Sequence, residues 1–390
     1  MVNITLFSQI ISKLDRSKFN KLVSLNQTDK HNKGYTSWTH LVSMLFCQFA
    51  KSQSVRDISN GLRSATGNLN HLGIQKAPSK SSVSYQNKHR DHVIFKSYYF
   101  SLLESLGQQA GFKQVKFRIK TKIFLLDSTT ISLCLSLFDW AKYKTAKGAV
   151  KLHTLLDYDG NLPVYVNITD GKTADNKGAC DVPSHKGSVI VADRFYNDFS
   201  LLNVWDSNQV SFVIRHKENL QYTAIRENVL PEDRHKNILI DEVIELKAPK
   251  SKKAYPEKLR RVAVWDEENE QTIEIITNQM TWTANTISEL YKSRWQIEIF
   301  FREIKQNLHI KSFIGTTQNA VMIQIWTALI TILILKALKA MAKHKWHLSN
   351  LIAFIRLNIF VKINLQNWLD KPFEESPNLN PEKYVQGILF

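Results

Sequence analysis

Two apolar runs that each stop on a single acid, set between helical stretches, restrict this chain more than anything else in it. KIFLLD ends at Asp127 and VIVAD ends at Asp193. β-Branched and aromatic runs bounded by turn residues predict strands. An acid closing such a strand is not an ordinary solvated charge if the strand is central; it is paired or holds a metal. Taken singly, each Asp also fits a turn or N-cap residue.

Residues 1–110 read as helical: FSQIISKL, FNKLVSL, WTHLVSMLFCQFA and VRDISNGL repeat apolar residues at three- and four-residue spacing. The serine cluster before SSVSYQNKHR is helix-start chemistry. From 115 the pattern turns to strands: VKFRIKTKIFLLDST, VKLHTLLDY, LPVYVNITDG, SVIVADR and VSFVIRH, with a hairpin through Asp159-Gly160. Strands continue over 220–280, interrupted by an expected exposed loop at 248–258. Helices return over 284–310, 319–343 and 348–363, and the tail from Lys371 reads as irregular. The expected division is a basic helical domain (1–112), a mixed α/β body (113–345) with a β-rich insert at about 215–280, and a C-terminal helical region (346–390).

Charge follows that division. Residues 1–120 hold 18 Lys+Arg against 5 Asp+Glu; the remainder holds 34 against 30. A basic head on a nearly neutral body predicts a nucleic-acid-binding module. VRDISNGL followed by SSVSYQNKHR resembles a helix-turn-helix, with Ser84, Gln86, Asn87, Lys88 and Arg90 expected on the exposed face of the second helix. The three cysteines, Cys47, Cys134 and Cys180, form neither a metal spacing nor a disulfide framework, so a reducing cytosol is expected. The N-terminus lacks the pattern of a secretion signal. The sixteen apolar residues at 320–335 include Gln324 and Thr327 and are short for a bilayer span, so a buried core helix is expected and no membrane.

Chemistry concentrates in LYKSRWQIEIFFREIKQNLHI. On a continuous helix Tyr291, Arg294, Glu298 and Lys305 fall within about 60° of one another around the axis. Trp295 and Arg302 edge the stripe, while Ile297, Phe300, Phe301, Ile304 and Leu308 point away. Such a stripe suits an acidic polymer held beside a catalytic acid. Glu298 also has Arg294 and Arg302 at helical ion-pair spacing. Asp127, Asp193 and Glu298, on two strands and one helix, form a candidate two-metal site, because phosphodiester chemistry needs carboxylates from separate elements to meet. Asp157, Asp159, Asp170, Asp175 and Asp181 sit in turn-like contexts and are expected to be solvated; His153 is expected to be a core residue. No zinc spacing and no phosphate-binding GxxxxGK[ST] loop is present.

These residues resemble a known family. Tyr291-x2-Arg294-x3-Glu298-x6-Lys305, with Trp295, is similar to the Tyr-Arg-Glu-Lys motif of bacterial DDE transposases of the insertion-sequence-four family. LLDST resembles that family's first acidic motif and VADRFYND its second, with Phe195 where the family often has Gly. The resemblance implies an RNase H-like mixed sheet with a β-rich insertion between Asp193 and Glu298. It implies two magnesium ions, with manganese as a substitute, on Asp127, Asp193 and Glu298. Tyr291, Arg294 and Lys305 would grip the phosphate backbone and Trp295 would stack on an unpaired base. The implied partners are the terminal inverted repeats, the target DNA and a second copy of the chain in a DNA-bound dimer, in a bacterial, nucleoid-associated setting. A stand-alone RNase H-like nuclease or resolvase, and a non-catalytic DNA-binding regulator, remain the alternatives.

Overall fold

The computed structural model describes residues 3–373 apart from 66, 108–120, 134–137, 139, 141, 145–146, 180, 184, 231, 233–236 and 311. The strand run expected at 115–120, Cys134, Cys180 and most of the C-terminal tail lie outside the described residues. Six helices come first: α1 (Leu6–Ile11), α2 (Arg16–Asn26), α3 (Ser37–Ala50), α4 (Val55–Ser64), α5 (Lys80–His89) and α6 (Val93–Gly107). Thr36, Ser54 and Ser79 cap α3, α4 and α5 by accepting a backbone N–H three residues on. The connection between α4 and α5 spans 65–79 and carries a short 3-10 turn at Asn70–Leu72. A helix-turn-helix joins its helices through three or four residues, so this pair is not a compact example of that motif.

Among the described residues ten strands form one sheet: β1 (Ile123–Leu133), β2 (Lys142–Lys144), β3 (Lys147–Asp157), β4 (Leu162–Asp170), β5 (Val189–Ala192), β6 (Ser211–Arg215), β7 (Tyr222–Glu227), β8 (Ile238–Leu246), β9 (Leu259–Asp266) and β10 (Gln271–Thr277). The order is β2-β3-β1-β5-β6-β10-β9-β8-β7, with β4 also paired to β3. β1, β3 and β4 are antiparallel, and β1, β5 and β6 run parallel. This is the mixed, RNase H-like arrangement expected. The β-rich insert is not a separate body, because β10 pairs with β6 and carries the central sheet onward through β9, β8 and β7.

The remaining helices are α7 (Asp175–Gly178), α8 (Phe199–Ser207), α9 (Pro249–Ala254), α10 (Ala284–Ser293), α11 (Trp295–Asn307), α12 (Gln318–Met341), α13 (Leu348–Leu357) and α14 (Leu365–Asp370). α9 replaces part of the loop expected at 248–258; Pro249 fits the first turn, where no N–H is needed. Alternate strand residues face opposite sides. Leu125, Val191 and Val213 join a core with the N-terminal helices and α10–α13, whereas Leu126, Ala192 and Ile214 join a second core with α8.

That first core runs from Leu6 to Leu369 without a break. The Leu6 and Phe7 amides donate to the carbonyls of Val361 and Ile359, tying α1 to the segment that follows Leu357. The expected helical head and C-terminal region therefore pack as one layer. α12 lies at its centre. It is long and apolar enough to cross a membrane, yet 83% of its most apolar stretch is buried inside the protein. Its Gln324 amide donates to His309 O (2.6 Å) and Ser312 O (2.8 Å) and accepts from Ile314 N (3.0 Å), so its polar atoms are matched to this protein.

Candidate active site

Strand register builds the site. Leu126 pairs with Ala192, and Ala192 pairs with Ile214. The next residues, Asp127, Asp193 and Arg215, therefore stand side by side where the parallel pairing of these three strands stops. Asp193 follows β5 and Arg215 ends β6, but Asp127, expected to close its strand, lies midway along β1, which continues to Leu133 against β3. Neighbouring strands lie about 4.8 Å apart. Alternation places all three on the face covered by α10 and α11. In an open α/β sheet this edge is where ligands bind. Arg215 is a residue that the sequence reading missed. The signal was present: SFVIR ends on a charge just as VIVAD does.

α10 and α11 are two helices, not the single helix expected. Ser293 Oγ donates to Leu290 O (2.6 Å), and the Arg294 and Ile297 amides bond three residues back. Three-residue bonds tighten the backbone into a 3-10-like turn, which divides the stripe at Arg294. The Arg294 guanidinium then lies over the Tyr291 ring, 5.9 Å from its centroid. It donates to Glu298 Oε1 at 2.7 Å and approaches Asp127 Oδ2 at 3.6 Å. Its Nε is buried without a hydrogen-bond partner. Arg294 thus stands between two of the three candidate acids.

Asp127 Oδ1 accepts the Ser128 N–H at 2.7 Å. Burial pushes the Asp127 carboxyl up to about 7; the Ser128 bond and Arg294 oppose the rise, and Asp193 and Glu298 add to it. Those two contributions place all three carboxylates in one electrostatic neighbourhood. Asp193 caps the short 3-10 turn Arg194–Tyr196 by accepting the Phe195 N–H at 2.6 Å. The turn-cap and active-site readings of this residue are therefore compatible. Among the described residues, no three His, Cys, Asp or Glu side chains are gathered closely enough to hold a metal ion as they stand. The acids are neighbours, with a guanidinium between two of them.

A cleft of about 380 Å³ opens along Asp127, Ser128, Glu298, Arg302 and Lys305. Arg302 is exposed and Lys305 half-buried. Trp295 is 54% exposed at the start of α11, large apolar area left uncovered beside the acids. Tyr291 is half-buried, and burial raises its phenol above the ordinary range, with Arg294 and Arg215 opposing and Asp193 adding to the rise.

The α5 candidates separate. Lys88 is exposed. Arg90 is not available as a DNA contact: its side chain is buried and donates to Tyr35 O (2.8 Å), Thr36 O (3.2 Å) and Asp29 Oδ1 (3.3 Å). Asn87 is buried as well, 2.7 Å from the His40 ring.

The chain is similar to known proteins over most of its length. Residues 118–334 match the profile of the transposase DDE domain, and residues 2–75 match a domain family of unknown function, DUF4372. A probable transposase for insertion sequence element IS5377 from Geobacillus stearothermophilus is 27% identical over 277 residues, 71% of this chain and 72% of its own length. A putative transposase, y4zB, from Sinorhizobium fredii is 30% identical over 264 residues, 67% of this chain and 71% of its own length. A cryo-EM structure of a piggyBac transposase synaptic complex with hairpin DNA aligns over 96% of this chain and 81% of that one, with a TM-score of 0.44 and 9% identity. With a DDE domain matched over more than half its length and insertion-sequence relatives across two thirds of it, the chain belongs to the DDE transposases of bacterial insertion sequences.

Proposed function

We propose that this transposase binds the ends of its insertion sequence, cuts phosphodiester bonds there and joins the freed 3′ ends to target DNA. One observation carries the reading: Asp127 and Asp193 on adjacent strands just past their last parallel pair, with Glu298 linked to Asp127 through Arg294 beside a cleft bordered by cationic side chains.

The donor set is all carboxylate oxygen, which suits a hard divalent cation such as Mg²⁺. The crowding that raises the Asp127 carboxyl is the repulsion a cation relieves. Two ions held by Asp127, Asp193 and Glu298 would neutralise charge on the attacked phosphate and ease ionisation of the attacking water. Arg294 offsets two of these acids and is a candidate phosphate partner beside them. Arg302, Lys305 and Arg215 lower the cost of bringing the polyanion against three carboxylates. Trp295 offers a stacking platform worth ~1–3 kcal/mol for an unpaired base. Lys88 on α5 is a candidate backbone contact outside the cleft. Two copies of the chain, one on each end, complete the proposed assembly.

The test uses labelled end oligonucleotides with Mg²⁺ or Mn²⁺. Asp127→Asn, Asp193→Asn and Glu298→Gln are each expected to abolish cutting while retaining end binding. Metal-dependent cutting by any of them removes that residue from the site. Cutting without joining in the parent protein replaces the transposition reading with that of a nuclease.

A further inference from the structure

Asp175 was expected to be a solvated turn residue, yet its side chain is only 18% exposed and one of its oxygens collects three contacts. Asp175 Oδ1 accepts the Ser128 hydroxyl, lies 3.3 Å from Lys151 Nζ and lies 3.8 Å from His153 Nδ1. Lys151 is held from its other side by Thr173 O at 3.0 Å. His153 is fully buried, with Nε2 3.0 Å from Thr169 Oγ1. Its ring fills the space over Gly178, where a Cβ would fall 2.3 Å from Cε1, so this helical turn accepts only glycine there. Burial lowers His153 to about 4, which leaves the ring neutral at pH 7 and Lys151 as the cation facing Asp175.

The connection to the site runs through Ser128. Both Asp127 and Ser128 border the cleft, but strand alternation turns their side chains in opposite directions, and Ser128 pairs across strands with His153. Ser128 bridges the two faces: its N–H holds Asp127 Oδ1 and its hydroxyl is held by Asp175. The buried Tyr196 phenol, on the turn that Asp193 caps, feels the charges of Asp127, Asp175 and Asp193 together. The helix that carries Asp175, α7, packs against that turn. We propose that Asp175 is a positioning residue that acts through Ser128 to fix the direction of the Asp127 carboxylate. The inference rests on the catalytic role proposed for Asp127.

Full-length Asp175→Ala, Asp175→Asn, Ser128→Ala and Asp127→Ala separate these ideas. Asp175→Ala and Ser128→Ala are expected to slow cutting at saturating end DNA by about 10–100-fold, with metal-free end binding unchanged and the thermal midpoint unchanged in Ser128→Ala. Asp175→Asn is expected to recover most of the rate, because its amide oxygen still accepts the Ser128 hydroxyl. In the metal-free protein, hydrogen exchange at the Ser128 amide should accelerate in Asp175→Ala and not in Asp175→Asn. Wild-type rates in Asp175→Ala and Ser128→Ala, or equal losses in Ala and Asn variants with a lowered thermal midpoint, overturn the positioning role. Cutting by Asp127→Ala overturns the catalytic reading instead.

Discussion

Arginine meets carboxylate in two regions of this protein, and the two meetings differ in kind. In the β7–β10 extension, Arg260 grips Asp241 with two bonds of 2.8 and 2.6 Å, both side chains 5% exposed. Arg261 beside it bonds Glu242 (2.6 Å) and Glu274 (2.7 Å), and Glu274 also pairs with His216. At the cleft, Arg294 makes one bond to Glu298, a longer approach to Asp127, and leaves Nε unmatched. A saturated, bidentate pair fixes geometry. An under-coordinated arginine between acids keeps the capacity to take another anion. Identical charges thus serve as a fastening in one region and as an exchangeable partner in the other.

The fastening also reaches the site. Arg260 donates to the carbonyls of Gln279 and Trp282, in the segment leading into α10 and hence to Tyr291 and Arg294. Removing it strands Asp241 in the interior. Arg260→Ala is expected to cost about 3–5 kcal/mol, the usual penalty for an unpartnered buried charge. Urea unfolding measures it. A loss below ~1 kcal/mol would erase the distinction between the two regions.

The cleft should respond to pH instead. Asp127 titrates near its ordinary 3.8 when unfolded and at about 7 when folded. Below the lower value both states bind the proton; between the two only the folded state does. The stabilisation from that proton is therefore lost as pH rises through about 7. Asp127→Asn is expected to flatten this part of the stability profile and to stabilise the metal-free protein at pH 8 by on the order of 2 kcal/mol. Thermal melting across pH 4–8 checks this, and an unchanged slope would mean that Asp127 does not carry the strain.

Asp127 and Asp193 stood out because a buried strand has a compositional signature that a charge breaks, although β1 runs on past Asp127 to Leu133; Glu298 stood out by its helical spacing from Arg294 and Arg302. The break between α10 and α11 at Arg294 was not legible. No Gly or Pro marks it, and it follows from a serine hydroxyl competing for a helix carbonyl. Arg90 was misread because helical spacing gives a face but not which face the neighbouring helices cover. Asp175 was misread because its three contacts come from β1 and β3, elements between 22 and 47 residues away in sequence. The continuity of the insert with the main sheet depends on the β6–β10 pairing, which local patterning does not encode.

The finest test of the comparison sets two cleft variants against each other. In the metal-free protein Arg294 is engaged with Glu298, so a DNA phosphate must compete for it. Arg294→Ala is expected to weaken end binding about tenfold and to lower the salt dependence by about one counterion. Its effect on folding stability should stay below that of Arg260→Ala, since Asp127 keeps the Ser128 N–H and can take up a proton once the guanidinium is gone. Glu298→Gln should act in the opposite direction. It frees the guanidinium and removes one repelling carboxylate, so metal-free end binding tightens even though cutting is lost. Gel-shift titrations at several salt concentrations read both variants. If Glu298→Gln binds ends no better than the parent protein, Arg294 is a fastening like Arg260 and the contrast between the two regions fails.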